Sequence, residues 1–304
     1  MLPWKEFLDI RQRAFDELYD LHPPSDPALQ LFSPALHFEE LGYSTSGWII
    51  SSEEDLKKFH ESMVEIPVGR AISALAAAQL HGKDWNFVQG MFFENHTNRL
   101  GEPAEDMQAR LRIARHSNES HRPVDPIHAD QLCVYKKNGE LELLFVIEYK
   151  APHKISKEIL RAGLREMNVP EDIINRSSIP TDPSKKFQYN ADKLVAAVVT
   201  QIYSYMLESG CEYSCIITGE AIVFLWIKED DSNTLYYHLA EPNEQVYAAD
   251  GAGFEHPLTA IIQLLSFSIM AARSRRRDHV WRETSVQKAQ AWSEDWEKIL
   301  RNIL

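Results

Sequence analysis

Five apolar residues in a row, Leu143-Leu144-Phe145-Val146-Ile147, run directly into Glu148-Tyr149-Lys150. Unbroken apolarity over the length of one strand marks a strand covered on both faces. A carboxylate and an ammonium at its end need a reason, because buried charges are costly unless paired or bound to a metal. At positions i and i+2, Glu148 and Lys150 share one face of the strand.

The rest of the 304-residue chain supplies the cover. Helical periodicity is expected over 3–20 and again after the N-cap residue Ser52, reaching about residue 81 with an interruption at Pro67. Residues 22–52 carry Pro23, Pro24, Pro27 and Pro34 and read as irregular. The stretch 85–100 is aromatic, 103–116 reads as a charged helix and 117–129 as a polar loop. Strands are expected at 131–135 and 141–149, around the hairpin signal Lys136-Lys137-Asn138-Gly139. Short helices then lead to a long helix over 186–208 and to strands at 213–218, 221–227 and 235–240. An apolar helix over 257–273 and an amphipathic stretch over 279–303 close the chain. This order predicts an α/β fold, a sheet enclosed by helices with a helical N-terminal elaboration. The expected division is an extension, 1–52, and a main domain, 53–304.

Composition limits the partners. Lys and Arg total 32 against 45 Asp and Glu, a net charge of −13. Such a sum speaks against coating DNA or an anionic membrane through a general positive field, but not against a local basic site. Cys133, Cys211 and Cys215 are few and scattered, which suits small buried thiols rather than a disulfide framework. There is no secretory pattern at the N-terminus and no apolar run of the roughly 18 residues that a membrane span needs. The expectation is an intracellular protein of the nucleus or cytoplasm, with no membrane partner.

Asp130 precedes the first strand of the hairpin. A two-residue turn at Asn138-Gly139 would set Asp130 opposite Ile147, on the wrong face. A three-residue loop, Lys137-Asn138-Gly139 with Gly139 left-handed, would set it opposite Val146 and diagonal to Glu148, about 7–8 Å away at the backbone. A divalent ion shared by Asp130 and Glu148 therefore predicts the three-residue loop. Oxygen ligands of this kind hold Mg²⁺ or Mn²⁺, and Lys150 would orient the attacking water or stabilise charge on phosphorus. The same residues also suit a plain ion pair at a strand end. On the helix after the hairpin, Gln201 and Tyr205 lie one turn apart on one face, with Lys193 upstream. Lys150, Lys154, Lys157, Arg161 and Arg165, with the one acid Glu158, make a local charge of +4 that reads as a phosphate track or as a solvated face.

The order acid, hairpin, E-x-K strand, helix and strand resembles the PD-(D/E)XK nuclease superfamily. The Q-x-x-x-Y helix is similar to its RecB-like branch, and residues from about 55 to 300 resemble a fungal group of such nuclease-like proteins. The stretches that carry this are Phe93-Glu94-Asn95-His96-Thr97-Asn98, Ala129-Asp130-Gln131-Leu132-Cys133-Val134-Tyr135, Ile147–Lys154 and Gln188-Tyr189-Asn190-Ala191. Tyr236-Tyr237, Glu241-Pro242-Asn243 and the Trp-rich C-terminal segment add to them. The resemblance implies a restriction-endonuclease-like, four-stranded mixed sheet flanked by helices and Mg²⁺- or Mn²⁺-dependent cleavage of nucleic acid, DNA more than RNA. It implies Asp130 and Glu148 as metal ligands, Lys150 as catalytic lysine, Gln201 and Tyr205 as the accessory pair, and an acid on the first core helix, for which Glu65 is the candidate and Glu61 the second. The chain departs from the pattern in having Ala129, not proline, before Asp130.

Other features are less specific. His128 and His153 flank the motif and suit either phosphate contact or a structural role; Asn95 and His96 suit loop hydrogen bonding. The Arg273-Ser274-Arg275-Arg276-Arg277 run, with Arg282, fits nucleic-acid binding, nuclear import or a solvated helix junction. Trp281, Trp292 and Trp296 fit core packing by their helical spacing. The main functional expectation is a nuclease. The alternative is a nuclease-fold module without turnover, favoured by the acids of 228–250, which hold six carboxylates against Lys228.

Overall fold

The computed structural model describes residues 1–21, 31–78, 90–94, 129–137, 140–176, 179–249, 257–289 and 296–303. The chain opens with strand β1 (Leu2–Pro3) and helices α1 (Phe7–Leu21), α2 (Ala35–Thr45) and α3 (Glu53–His60). A π-helical turn, Glu61–Glu65, joins α3 to α4 (Ile66–Ala77). Strands β2 (Met91–Glu94), β3 (Gln131–Lys137) and β4 (Glu140–Tyr149) come next, then α5 (Lys157–Gly163) and the long α6 (Pro183–Ser209). The last part holds β5 (Tyr213–Ile217), β6 (Ile222–Ile227), β7 (Leu235–Ala240), α7 (Pro242–Ala248), α8 (Ala260–Ala272), α9 (His279–Lys288) and α10 (Trp296–Ile303).

The strands form one mixed seven-stranded sheet in the order β1-β7-β6-β5-β4-β3-β2. Strand β4 lies inside it, parallel to β5 and antiparallel to β3. Its apolar run is buried on both faces, as its composition requires. On one face Phe145, Ile147 and Tyr149 pack with Phe7 of α1, Ile72 of α4 and Phe267 of α8. On the other, Val146 packs with Leu132 and with Leu194, Val198 and Ile202 of α6. Burying side chains of this size stabilises by about 1.5–3 kcal/mol each. Cys133, Cys211 and Cys215 are free and buried. Among the described residues, no helix is long and apolar enough to cross a membrane.

The structure departs from the sequence expectations in four places. Helix α2 occupies part of the stretch read as irregular. The prolines all precede it, Pro34 takes the N-cap position, and no proline occurs again until Pro67. Strand β2 emerges from the aromatic stretch and lengthens the sheet beside β3. Residues 1–21 share the sheet and core with the rest: β1 pairs with β7, the Trp4 amide donates to the Tyr237 carbonyl at 2.7 Å, and Trp4 and Phe7 are buried. The sheet thus exceeds the four strands implied by the resemblance. The C-terminal stretch resolves into α9 and α10. The helix expected over 103–116, with Asn95, His96, His128 and Trp292, lies outside the described residues.

Helix α6 is held close to α5 by Gly163. A methyl group there would lie 2.5 Å from the Ala191 carbonyl oxygen and 2.6 Å from Val195 Cγ2. Gly163→Ala should therefore destabilise the protein by about 1–3 kcal/mol, since backbone atoms cannot yield as a side chain can. Urea unfolding would read this, and a change below about 0.5 kcal/mol would contradict it.

On the opposite face, His238 stacks on Phe7 at 4.3 Å between ring centroids. Burial, then the nearby Arg11 guanidinium, hold its imidazole down to about 4. An unfolded histidine titrates near 6.5, so the folded state resists protonation. The stability present above pH 6.5 is lost as pH falls toward 4, by about 2–3 kcal/mol. His238→Phe should flatten the decline of melting temperature between pH 7 and 4.5. Equal slopes in wild type and variant would show that another group governs the acid limb.

Candidate active site

The register of β3 and β4 decides where Asp130 sits. The ladder closes at Lys137↔Glu140, so two residues separate the strands, not the expected three; Asn138 and Gly139 themselves lie outside the described residues. The two-residue register holds as far as Val134↔Leu143. It then slips by one to Cys133↔Phe145, leaving Leu144 as the extra residue of a bulge. Leu144 and Phe145, though adjacent, both join the same core layer. Pairing continues through Leu132↔Val146 and Gln131↔Ile147, and one further step brings Asp130 level with Glu148. The Tyr149 amide donates to Asp130 Oδ2 at 2.8 Å and fixes it there. The expected loop is thus corrected: a bulge inside the strand, not at the turn, brings Glu148 to the face of Asp130.

Four further side chains meet on that face. Lys150 Nζ donates to Glu148 Oε1 at 2.6 Å, and Gln201 Nε2 donates to the same oxygen at 2.8 Å. Gln201 Nε2 also lies 3.1 Å from the Tyr205 hydroxyl, as the one-turn spacing requires. Helix α6 presents both from a fixed position, capped by Asp182 at its start and by left-handed Gly210 at its end. Lys57 of α3 donates to the Asp130 carbonyl. Glu148 is 2% exposed and Lys150 4%. Among the described residues of this site, two buried oxygens have no hydrogen-bond partner, Glu148 Oε2 and Gln201 Oε1.

These environments set the protonation states. Burial pushes the Glu148 carboxyl up to about 7, against the pull of Lys150 and with help from Asp130. Burial also raises Asp130, opposed by the Tyr149 amide and Lys150. Burial works against the charge on Lys150, but Glu148 outweighs it and the ammonium titrates above its usual value. At neutral pH Lys150 is therefore a donor and a charge, not a base.

Other expected site residues lie elsewhere. Glu65 is on the reverse face of the sheet, because strand alternation turns Tyr149 away from Glu148 and Glu65 bonds to Tyr149. It does not meet Asp130 and Glu148, which corrects its place as a third ligand. Glu61 is exposed. The helix acid whose charge does reach Asp130, Glu148 and Lys150 is Glu53, the first residue of α3. Its signal in the sequence was only its place after the N-cap Ser52.

The basic segment is paired rather than free. Lys154 meets Glu53 at 3.3 Å, Lys157 meets Glu244 at 2.6 Å, and Arg161 meets Glu241 at 2.9 Å. Arg165 makes a two-pronged pair with buried Asp192 at 3.0 and 2.9 Å, which marks it as structural. Lys193 is half-buried on α6, two turns before Gln201, and His153 is exposed. In the arginine run, Arg273 pairs with Glu17 and Arg277 with Glu212 and Glu229, while Arg276 donates to the Ser209 carbonyl.

Among the described residues, no group of three His, Cys, Asp or Glu side chains is arranged to hold a metal ion. The site offers two carboxylates and an unpartnered buried oxygen on each of Glu148 and Gln201. That set fits a hard divalent ion that keeps several waters, as Mg²⁺ does, rather than one caged by protein.

A family model described as the Spore killer 2 N-terminal domain matches residues 1–297, and the chain belongs to that family. Meiotic driver SPOK2 of Podospora anserina is 23% identical over 322 residues, which take in 99% of this chain and 41% of the relative. The chain thus spans about two fifths of that relative's length. The fungal kinship read from the motifs is met by this relative. No solved structure matches.

Lys150→Met should cost about 3 kcal/mol or more in urea unfolding at pH 8, because it strands the buried Glu148 carboxylate. Adding Glu148→Gln should recover most of the loss. A double variant no more stable than the single would mean that the pair is not the source.

Proposed function

We propose that this chain is a divalent-metal-dependent nuclease that hydrolyses phosphodiester bonds, in DNA more than RNA, on a restriction-endonuclease-like core of the PD-(D/E)XK type. The observation that carries the reading is that Asp130 comes level with Glu148 beside Lys150, with Glu148 Oε2 buried and unpartnered. Asp130 and Glu148 would hold Mg²⁺ or Mn²⁺, which supplies a polarised phosphoryl oxygen and an acidified water. Lys150, an ammonium at neutral pH, would stabilise charge developing on phosphorus. Gln201 fixes the rotamer of Glu148, and Tyr205 supports Gln201. Lys154, Lys157 and Arg161 would meet the phosphate backbone by exchanging their acid partners for it. Exposed pairs of this sort are weak, so the exchange is easy and salt-sensitive. Lys193 is a further contact on the same side, and Arg165 is not one. The relative is named a meiotic driver, and we place the proposed cleavage in that setting.

A second reading, a module that keeps the fold without turnover, is favoured by one observation: Glu148 and Lys150 are buried and closed on each other, while Lys157 and Arg161 are paired with Glu244 and Glu241. DNA cleavage separates the two. Plasmid and linear DNA are incubated with Mg²⁺ or Mn²⁺ and the wild type, Asp130→Ala or Lys150→Ala. The nuclease reading expects metal-dependent cleavage that falls about 10²-fold or more in each variant. Cleavage unchanged by both substitutions would remove the site, and no cleavage by the wild type would support the second reading.

A further inference from the structure

The reverse face of the site strand holds a buried polar group that the proposed chemistry does not use. Glu65 is 1% exposed, and among the described residues its hydrogen-bond partners are Gln131, Tyr149 and His60. Its Oε2 accepts from Gln131 Nε2 at 3.1 Å. Its Oε1 accepts from the Tyr149 hydroxyl and lies 3.2 Å from His60 Nδ1, which is itself 3.0 Å from the Tyr149 oxygen. A carboxyl group buried this deeply is costly unless its hydrogen bonds are supplied, and a packing role would be met more cheaply by an apolar side chain.

The two strand residues it joins are informative. Gln131 is the neighbour of Asp130, and Tyr149 sits between Glu148 and Lys150. Alternation along each strand sends Asp130, Glu148 and Lys150 to one face and Gln131 and Tyr149 to the other. Glu65 therefore bridges β3 to β4 directly behind the place where Asp130 comes level with Glu148. The regular ladder ends at Gln131↔Ile147, so Asp130 lies beyond it, held by the Tyr149 amide. Glu65 also ends the π-helical turn between α3 and α4. Such a turn adds a residue to the helix and rotates the helical segment after it, a cost that is kept mostly at functional sites.

We propose that Glu65 is a positioning residue: acting through Tyr149 and Gln131 from the reverse face, it fixes the separation of Asp130 and Glu148. The cation affinity it would set rests on the nuclease reading, whereas the spacing does not. The test uses the whole chain and two mild variants, Glu65→Gln and Tyr149→Phe, with Asp130→Ala as reference. Hydrogen–deuterium exchange is followed in peptides over 145–150 and 222–227, and Mn²⁺ affinity by titration. We expect exchange over 145–150 to rise about 10-fold in both variants, with 222–227 unchanged, because the Tyr149 amide is the donor that holds Asp130. Mn²⁺ affinity should fall about 10–100-fold, as for loss of a supporting residue behind a metal ligand. Exchange within twofold of wild type over 145–150, or equal acceleration over 222–227, would overturn the proposal. So would Mn²⁺ binding that is lost in Asp130→Ala but unchanged in both variants. If the wild type binds no Mn²⁺ while both variants still show the local rise in exchange, the positioning role stands and the metal reading falls.

Discussion

A one-residue slip between β3 and β4 governs the site. Alternation along β3 is unbroken, so Asp130 keeps the face of Leu132 and Val134; with the register of the two-residue turn continued, Ile147 would come level with it and Glu148 would turn into the core of Phe7 and Phe267, where an unpaired carboxylate costs several kcal/mol. The bulge at Leu144 turns the end of β4 over and brings Glu148 to the face of Asp130. The cost of the slip is an interrupted ladder, and Leu144 offsets it by burying its side chain in the core. The same step that keeps the Glu148 carboxylate out of an apolar layer puts it level with Asp130.

The charges around the site form two layers of different strength. The inner layer, Asp130, Glu148 and Lys150 with Gln201, is buried, and its carboxyls titrate high because burial opposes their charge. Holding two carboxyls in one buried place costs stability, and a cation or a proton would relieve it. The outer layer, Lys154, Lys157 and Arg161 with Glu53, Glu241 and Glu244, is more exposed and weakly held. The net charge of −13 takes on a different meaning once these layers are separated. Glu241 and Glu244 are held by Arg161 and Lys157, and in the proposed function they would have to be displaced.

How much of this was legible in the sequence depends on the physics of each feature. Strands β3 to β7 and helix α6 were legible, because burial on both faces leaves unbroken apolar runs and a long helix keeps its period. The shared face of Glu148 and Lys150 came from strand alternation alone. The bulge was not legible, since Leu144 is an ordinary apolar residue and Gly139 pointed to a bulge at the turn. Glu65 was misplaced because its position depends on the extra rotation of a π turn that no residue type announces. Helix α2 was hidden by prolines that all lie before its first turn. The acids that neutralise the basic segment are some 80 residues away in sequence, so only the fold reveals the pairing.

Diffraction from a crystal soaked in Mn²⁺, recorded at the manganese absorption edge, bears most directly on this site. A single anomalous peak within bonding distance of both Asp130 and Glu148, absent from Asp130→Ala crystals, is the predicted result. No peak between those carboxylates in a crystal that carries Mn²⁺ elsewhere would contradict the assignment.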